Sequence, residues 1–180
     1  MALMTLLAVH VLPTQVRVLH DPVSSYRLTP YRPWTIVSKV SLSIAAGGTI
    51  IGLAGLLGRH AVVACVLLAL FAISTALLTI MPMDARDTAS TTGGRVHNAL
   101  AFIGFASVTA AALVVGSALL EAGFDEAAIW STVLGGVMAV GAAGLLIGAA
   151  AQRTNLFGLF ERLIYAGFIL WFILIGITEF

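Results

Sequence analysis

Charge is scarce in this sequence. Only 9% of its 180 residues are Asp, Glu, Lys or Arg, against roughly 25% in soluble domains, and so few charges cannot cover a water-facing surface. The charge present is not of one sign either. Nine basic and eight acidic residues leave no basic face, which argues against nucleic acid as a partner. Cysteine is nearly absent: Cys65 stands alone inside an apolar run, so the chain can form neither an intramolecular disulfide nor a multi-cysteine zinc site. G-x-S-x-G, Walker A, G-x-G-x-x-G and C-x-x-C patterns do not occur, and the enzyme classes that depend on them lose support. The apolar stretch from Met1 to Leu12 lacks the basic region and cleavage site of a signal peptide.

Long hydrophobic runs are abundant. Hydrophobic residues make up 60% of the chain and mean hydropathy is +1.07, with the apolar residues in uninterrupted stretches rather than alternating with polar ones. Lipid is the natural solvent for such runs. The pattern predicts an all-α, polytopic transmembrane helix bundle forming a single domain over residues 1–180. Five full spans are expected, at Thr35 to Leu57, Ala61 to Met81, Asn98 to Leu120, Ala128 to Ala151 and Phe157 to Ile177, each near the length that crosses about 30 Å of hydrocarbon. Met1 to Leu12 is about half that length and reads first as a sixth helix cut short, with an interfacial helix as the alternative. Tyr31, Trp34 and Trp130 stand at span ends, where aromatic rings favour the headgroup level, and Pro82 closes the second span. Gly48, Gly52, Gly55, Ala112, Gly116, Gly144 and Gly148 recur at spacings that let helices touch. Packing within one bundle is the plainest account of them; a dimer face or a lipid slot is the alternative.

Charges in lipid are costly and tend to be functional, yet the second, third and fourth spans have uncharged interiors. Lys39, Glu161 and Arg162 lie within about two turns of helix ends, from which long side chains can reach the interface. The absence of midplane carboxylates speaks against an ion-coupled transporter. Polar residues instead converge on one membrane face: His20, Asp21, Asp84, Asp87, Arg95, His97, Glu161 and Arg162. The hairpin between the second and third spans brings Asp84 near His97, which stands at a helix start. Three readings stay open. The charged residues can pair with one another and cap helix ends, they can form a ligand or lipid-headgroup site, or Asp84 and His97 can hold a metal or act as acid and base. His10 and His60 are too isolated for a bis-histidine haem, and no cofactor is identified.

Several short segments also look familiar as a set. His20-Asp21-Pro22-Val23-Ser24-Ser25-Tyr26, Met81-Pro82-Met83-Asp84, Thr91-Thr92-Gly93-Gly94-Arg95-Val96-His97 and Gly158-Leu159-Phe160-Glu161-Arg162-Leu163 followed by Trp171 resemble the bacterial membrane family called domain of unknown function 998. The features that carry over are Pro22, Ser24 and Tyr26, the acidic Asp84, and the Gly94-x-x-His97 pair. Met81, where an aromatic is common, and the short first helix depart from the family pattern. The resemblance implies a six-helix bundle in the plasma membrane and supplies no activity. It also implies cytoplasmic termini, which would put the polar cluster outside. A positive-inside count of Arg17, Arg27, Arg32, Arg86, Arg95 and Arg153 against Arg59 gives the reverse. Arginines held in a structured polar site report topology poorly, so the family arrangement is preferred.

Three functions are therefore carried forward. The first is a membrane protein binding a small ligand, lipid headgroup or protein partner at its polar face. The second is a membrane-embedded lipid hydrolase or transferase using Asp84 and His97. The third is an accessory subunit held to a larger membrane complex by its glycine-rich helix faces.

Overall fold

The computed structural model describes residues 2–85, 88–151 and 156–178, and among them there is no strand. Six α-helices follow one another: α1 (Ala2–Val11), α2 (Arg32–Leu57), α3 (Val62–Leu77), α4 (Thr92–Glu121), α5 (Asp125–Ala151) and α6 (Phe157–Ile177). Short 3-10 helices cover Val23–Leu28, between α1 and α2, and Gly58–Ala61, between α2 and α3. Four stretches are long and apolar enough to cross a membrane: Arg32–Leu77, Thr92–Glu121, Asp125–Gly148 and Phe157–Ile177. The first is not one straight rod. Ser43 Oγ donates to the Ala72 carbonyl at 3.1 Å and Cys65 Sγ to the Ile50 carbonyl at 3.8 Å, so α2 and α3 lie antiparallel on either side of the Gly58–Ala61 turn.

Local chemistry explains most boundaries. Pro33 sits in the first turn of α2, where its missing N–H costs nothing. Thr91 caps α4, its hydroxyl accepting from Gly94 N at 3.0 Å. This cap starts α4 two turns before the expected Asn98, and His97 therefore lies inside the helix rather than at its start. The far end of α4 closes on Gly123, at φ +86°. Phe124 N bonds back to Leu119 O and Gly123 N to Leu120 O, the paired bonds of a Schellman ending. Asp125 and Glu126 then open α5, where acidic side chains favour the positive end of the helix dipole. α3 stops at Leu77, short of the expected Met81, because the Arg27 guanidinium takes the carbonyls of Leu78, Thr79 and Met81.

Each helix packs on its neighbour in sequence, and α6 also touches α2, α4 and the Val23–Leu28 helix. Its aromatic face anchors the core: Phe168 lies 5.5 Å from Phe71 and 4.8 Å from Tyr165, centroid to centroid. A buried relay ties three helices together, with Trp171 Nε1 donating to Ser131 Oγ and Ser131 Oγ to the Ala112 carbonyl, each at 2.7 Å. Outward faces stay apolar, as at Ile44, Ile51 and Ile147, which suits lipid and not water.

The glycines divide into two classes. A methyl on Gly116 would meet Thr132, one on Gly135 would meet Leu113, and one on Gly144 would meet the Phe160 ring, so these positions permit the close contacts of α5 with α4 and α6. Gly48, Gly52 and Gly55 have nothing within 4 Å of an added methyl. Packing within the bundle does not account for that α2 stripe.

Candidate functional site

Charged side chains collect inside one end of the bundle, where α1, the Val23–Leu28 helix, the start of α2, the start of α4 and the start of α6 meet. Arg27, Glu161 and Arg162 are placed by hydrogen bonds, mainly to backbone. The sequence expectation that Lys39, Glu161 and Arg162 reach outward to the interface is not met. Lys39 is 7% exposed and Glu161 5%; both turn inward.

Glu161 accepts the Val23 amide at 2.6 Å. A buried carboxylate bonded this way satisfies a loop N–H and fixes the loop on α6. Arg162 spans three partners: Nε donates to His10 Nε2 at 2.9 Å, and Nη1 to the carbonyls of Asp21 at 2.9 Å and Gly158 at 3.0 Å. His10 Nδ1 lies 2.7 Å from the Leu6 carbonyl, which fixes the tautomer that leaves Nε2 to accept. The His10 and Tyr26 rings also meet at 5.1 Å, centroid to centroid, in a tilted arrangement. Isolated in sequence, His10 belongs to the cluster in space. Gly158 is required beneath it, because a methyl there would stand 2.5 Å from the carbonyls of both Val18 and Asp21.

His97 is 3% exposed, and its Nδ1 has no hydrogen-bond partner among the described residues. The charged groups acting on it are Lys39, Arg27 and Asp84. Asp84 itself faces the loop. Its carboxylate accepts from Thr91 N at 2.8 Å and Thr91 Oγ at 2.7 Å, and it lies where a methyl on Gly94 would stand. The Gly93-Gly94 pair lets the Met81–Asp84 segment lie against the start of α4, since a methyl on Gly93 would likewise strike Pro82.

The hydrogen bonds from the Thr91 hydroxyl and amide hold the Asp84 carboxyl below its ordinary range. Such a group stabilises the fold above its unfolded pKa, and the contribution is lost as pH falls through the lower folded value. Wild-type protein in strong acid, and Asp84→Ala at neutral pH, should therefore share one change: lower amide protection, relative to the intrinsic exchange rate at each pH, over Gly93–Arg95. Equal protection in the variant and wild-type at neutral pH would remove the capping role.

The remaining expected site residues fall outside this interior. Arg95 is exposed and bonds to Thr92. Asp21 accepts from Arg17, its carbonyl also accepts from Arg162, and His20 is half-buried on the same loop. Asp87 lies outside the described residues, as do Arg86 and Arg153. Asp84, Arg95, Glu161 and Arg162 form no ion pair with one another; the described pairs are Arg17 with Asp21 and His60 with Glu121. Of the ion-pair network considered from sequence, the four described members do not pair with one another, and Arg86 and Asp87 lie outside the described residues. The cluster's charged groups are bonded mainly to backbone.

Sequence reasoning missed Lys39 and Arg27 as members of the site. Lys39 is the only lysine in the chain, and the signal that could have placed it was its spacing with Thr35, Leu42 and Ala46, all buried on one face of α2. Two cavities meet at Lys39 and Tyr165. One is lined by residues including Ser24, Arg27, Trp34, Thr35 and Ser38, the other by Thr75, Gly104, Phe105 and Phe168 among others. The Lys39 ammonium has no hydrogen bond to a described residue; Glu161 and Arg27 act on it through space.

Comparison with known proteins adds a family and no activity. The model described as "Protein of unknown function (DUF998)" matches residues 1–178, so the chain belongs to that family. No curated protein and no solved structure matches it.

Proposed function

We propose that this member of the DUF998 family is a multi-pass protein of a bacterial plasma membrane that binds a small ligand or lipid headgroup at its polar end. One observation carries the reading: Arg27, Lys39, His97 and Glu161 are all buried at that end, and Arg27 and Lys39 line a cavity there, Lys39 with no hydrogen bond to a described residue. Buried charge is expensive unless it is paired. A fold retains an incompletely paired cluster next to open space when a ligand completes it.

In this reading α2 and α3 cross separately, giving five full spans, and α1 is a partial sixth whose ten residues rise about 15 Å. The polar end faces outward. Arg27, one of the counted arginines, is tied to the carbonyls of Thr79 and Met81, which supports discounting it in the arginine count.

The lipid hydrolase or transferase reading gains less. Asp84 is engaged in capping α4 and His97 is buried, and the described His, Cys, Asp and Glu residues form no group of three that could hold a metal. The accessory-subunit reading keeps one supporting feature, the open Gly48, Gly52 and Gly55 stripe. Its test narrows to Gly48→Leu, because Gly144→Leu would clash with Phe160 inside the bundle.

A native mass spectrum of protein gently extracted from its own membrane tests the binding reading. It should show a discrete adduct at one copy per chain, weakened in His97→Ala. A bare chain, or an adduct that is a protein of defined mass lost on Gly48→Leu, would replace the reading.

A further inference from the structure

We infer that the Lys39 cavity receives an anionic group, a phosphate or a carboxylate, with Lys39 as its principal ligand. This rests on the binding reading above and adds the chemistry of the ligand and the residue that holds it. The inference begins with a count of charge. At this end of the bundle the described residues place three cationic side chains, buried Arg27 and Lys39 and part-buried Arg162, against buried Glu161 and the largely covered Asp21 carboxylate, which Arg17 already engages. Arg27 is compensated by the carbonyls at the end of α3, and Arg162 in part by His10 and two further carbonyls, its buried Nη2 having no partner among the described residues. Lys39 has no such compensation. Glu161 spends a lone pair on Val23 N and forms no ion pair with Lys39 within 4 Å among the described residues. An ammonium offers three donors and no acceptor, so what is missing beside it is an acceptor, and the excess positive charge selects an anionic one.

The cavity is built to present donors. Ser38 is 5% exposed, and the hydroxyls of Ser24 and Ser38 make no hydrogen bond to a described residue. They share the cavity wall with Lys39 and Tyr165, and Trp34, 46% exposed, stands at its rim. The enclosed space beside Lys39 is about 20 Å³, about that of one ordered water, so a small anionic group enters only as the wall opens at its mouth, and a whole lipid is excluded. A free phosphate would occupy it alone. A phospholipid would insert its phosphate and leave its acyl chains along the outside of α2, beside Trp34, in the bilayer. In both cases the recognised group is the same.

The test uses the full chain in a neutral detergent with phosphatidylcholine present throughout. Inorganic phosphate, or phosphatidylglycerol micelles, is added to wild-type, Lys39→Met and Lys39→Arg proteins, and the melting temperature is followed. Wild-type should rise by at least about 3 °C, Lys39→Arg should keep part of the rise, and Lys39→Met should lose it. A response to phosphate alone identifies a free anion and a response to phosphatidylglycerol alone identifies a lipid headgroup; either supports the assignment. No response in wild-type, or an equal response in Lys39→Met, overturns it. If Lys39→Met is not recovered folded, acylation of wild-type Lys39 by a small anhydride, which forms the amide and releases a carboxylate, read by peptide mass, replaces it. The anion should slow that reaction at least about tenfold, as saturation well above Kd implies, and unchanged acylation overturns the proposal. An adduct that survives intact in Lys39→Met would refute the anion assignment while leaving the binding reading standing, whereas a chain that carries no adduct and ignores both anions refutes the two together.

Discussion

Glu161→Ala is expected to destabilise the protein by about 3–5 kcal/mol, the usual cost of removing one partner from a buried set of charges. Two effects combine. The Val23 amide, bonded to Glu161 at 2.6 Å, loses its acceptor at a buried position, and Lys39 and Arg162 lose the carboxylate that acts on both through space. Glu161→Gln should be milder, since its amide oxygen can still accept from Val23 N. In a Lys39→Met background the cost of Glu161→Ala should shrink, because the uncompensated ammonium is gone; a double-mutant cycle on melting temperature or on reversible unfolding in micelles measures that coupling. Identical costs in the two backgrounds would mean that Lys39 and Glu161 do not share a site.

The second large effect belongs to Gly158. In Gly158→Val, the Cβ would sit 2.5 Å from two backbone carbonyls, those of Val18 and Asp21, and backbone cannot swing aside as a side chain does. Displacing that loop also breaks the bond from Leu159 N to Leu19 O at 3.1 Å and the one from Arg162 to Asp21 O. Overpacking costs about 1–3 kcal/mol and each lost hydrogen bond about 1 kcal/mol, so the total should reach roughly 3–5 kcal/mol. Gly48→Ala provides the contrast. Nothing lies within 4 Å of its added methyl, and alanine favours a helix over glycine by about 1 kcal/mol, so that variant should melt no lower than wild-type. A Gly158→Val protein as stable as Gly48→Ala would show that the Val18–Asp21 loop is not seated on α6.

The helices were legible in the sequence because membrane-length apolar runs identify themselves without knowledge of their neighbours. The start of α6 at Phe157 and the end of α2 at Leu57 fall where hydropathy puts them. Boundaries that depend on contacts distant in the chain were not legible. α3 ends early because Arg27, some fifty residues before, takes its carbonyls, and α4 begins early because Asp84 and Thr91 cap it.

The candidate site divides in the same way. Concentration of polar residues on one face was visible from loop composition, and Glu161, Arg162 and His97 were named from it. Which of them turn inward was not visible, since a charge two turns from a helix end can reach the interface or the core equally well by length alone. His10 meets Arg162 across most of the chain, a pairing with no local signature. The glycines show the limit most plainly: Gly48 and Gly144 share a spacing pattern, yet one faces open space and the other a phenyl ring.

Lys39 being the only lysine, labelling lysine side chains with nitrogen-15 marks a single atom. Solid-state NMR of the labelled protein in phosphatidylglycerol bilayers with phosphate present measures the dipolar coupling of that nitrogen to phosphorus. The account predicts a clear coupling, at a distance compatible with an ammonium–phosphate hydrogen bond. A Lys39 nitrogen that shows no phosphorus coupling and couples instead to the Glu161 carboxyl carbon would contradict it.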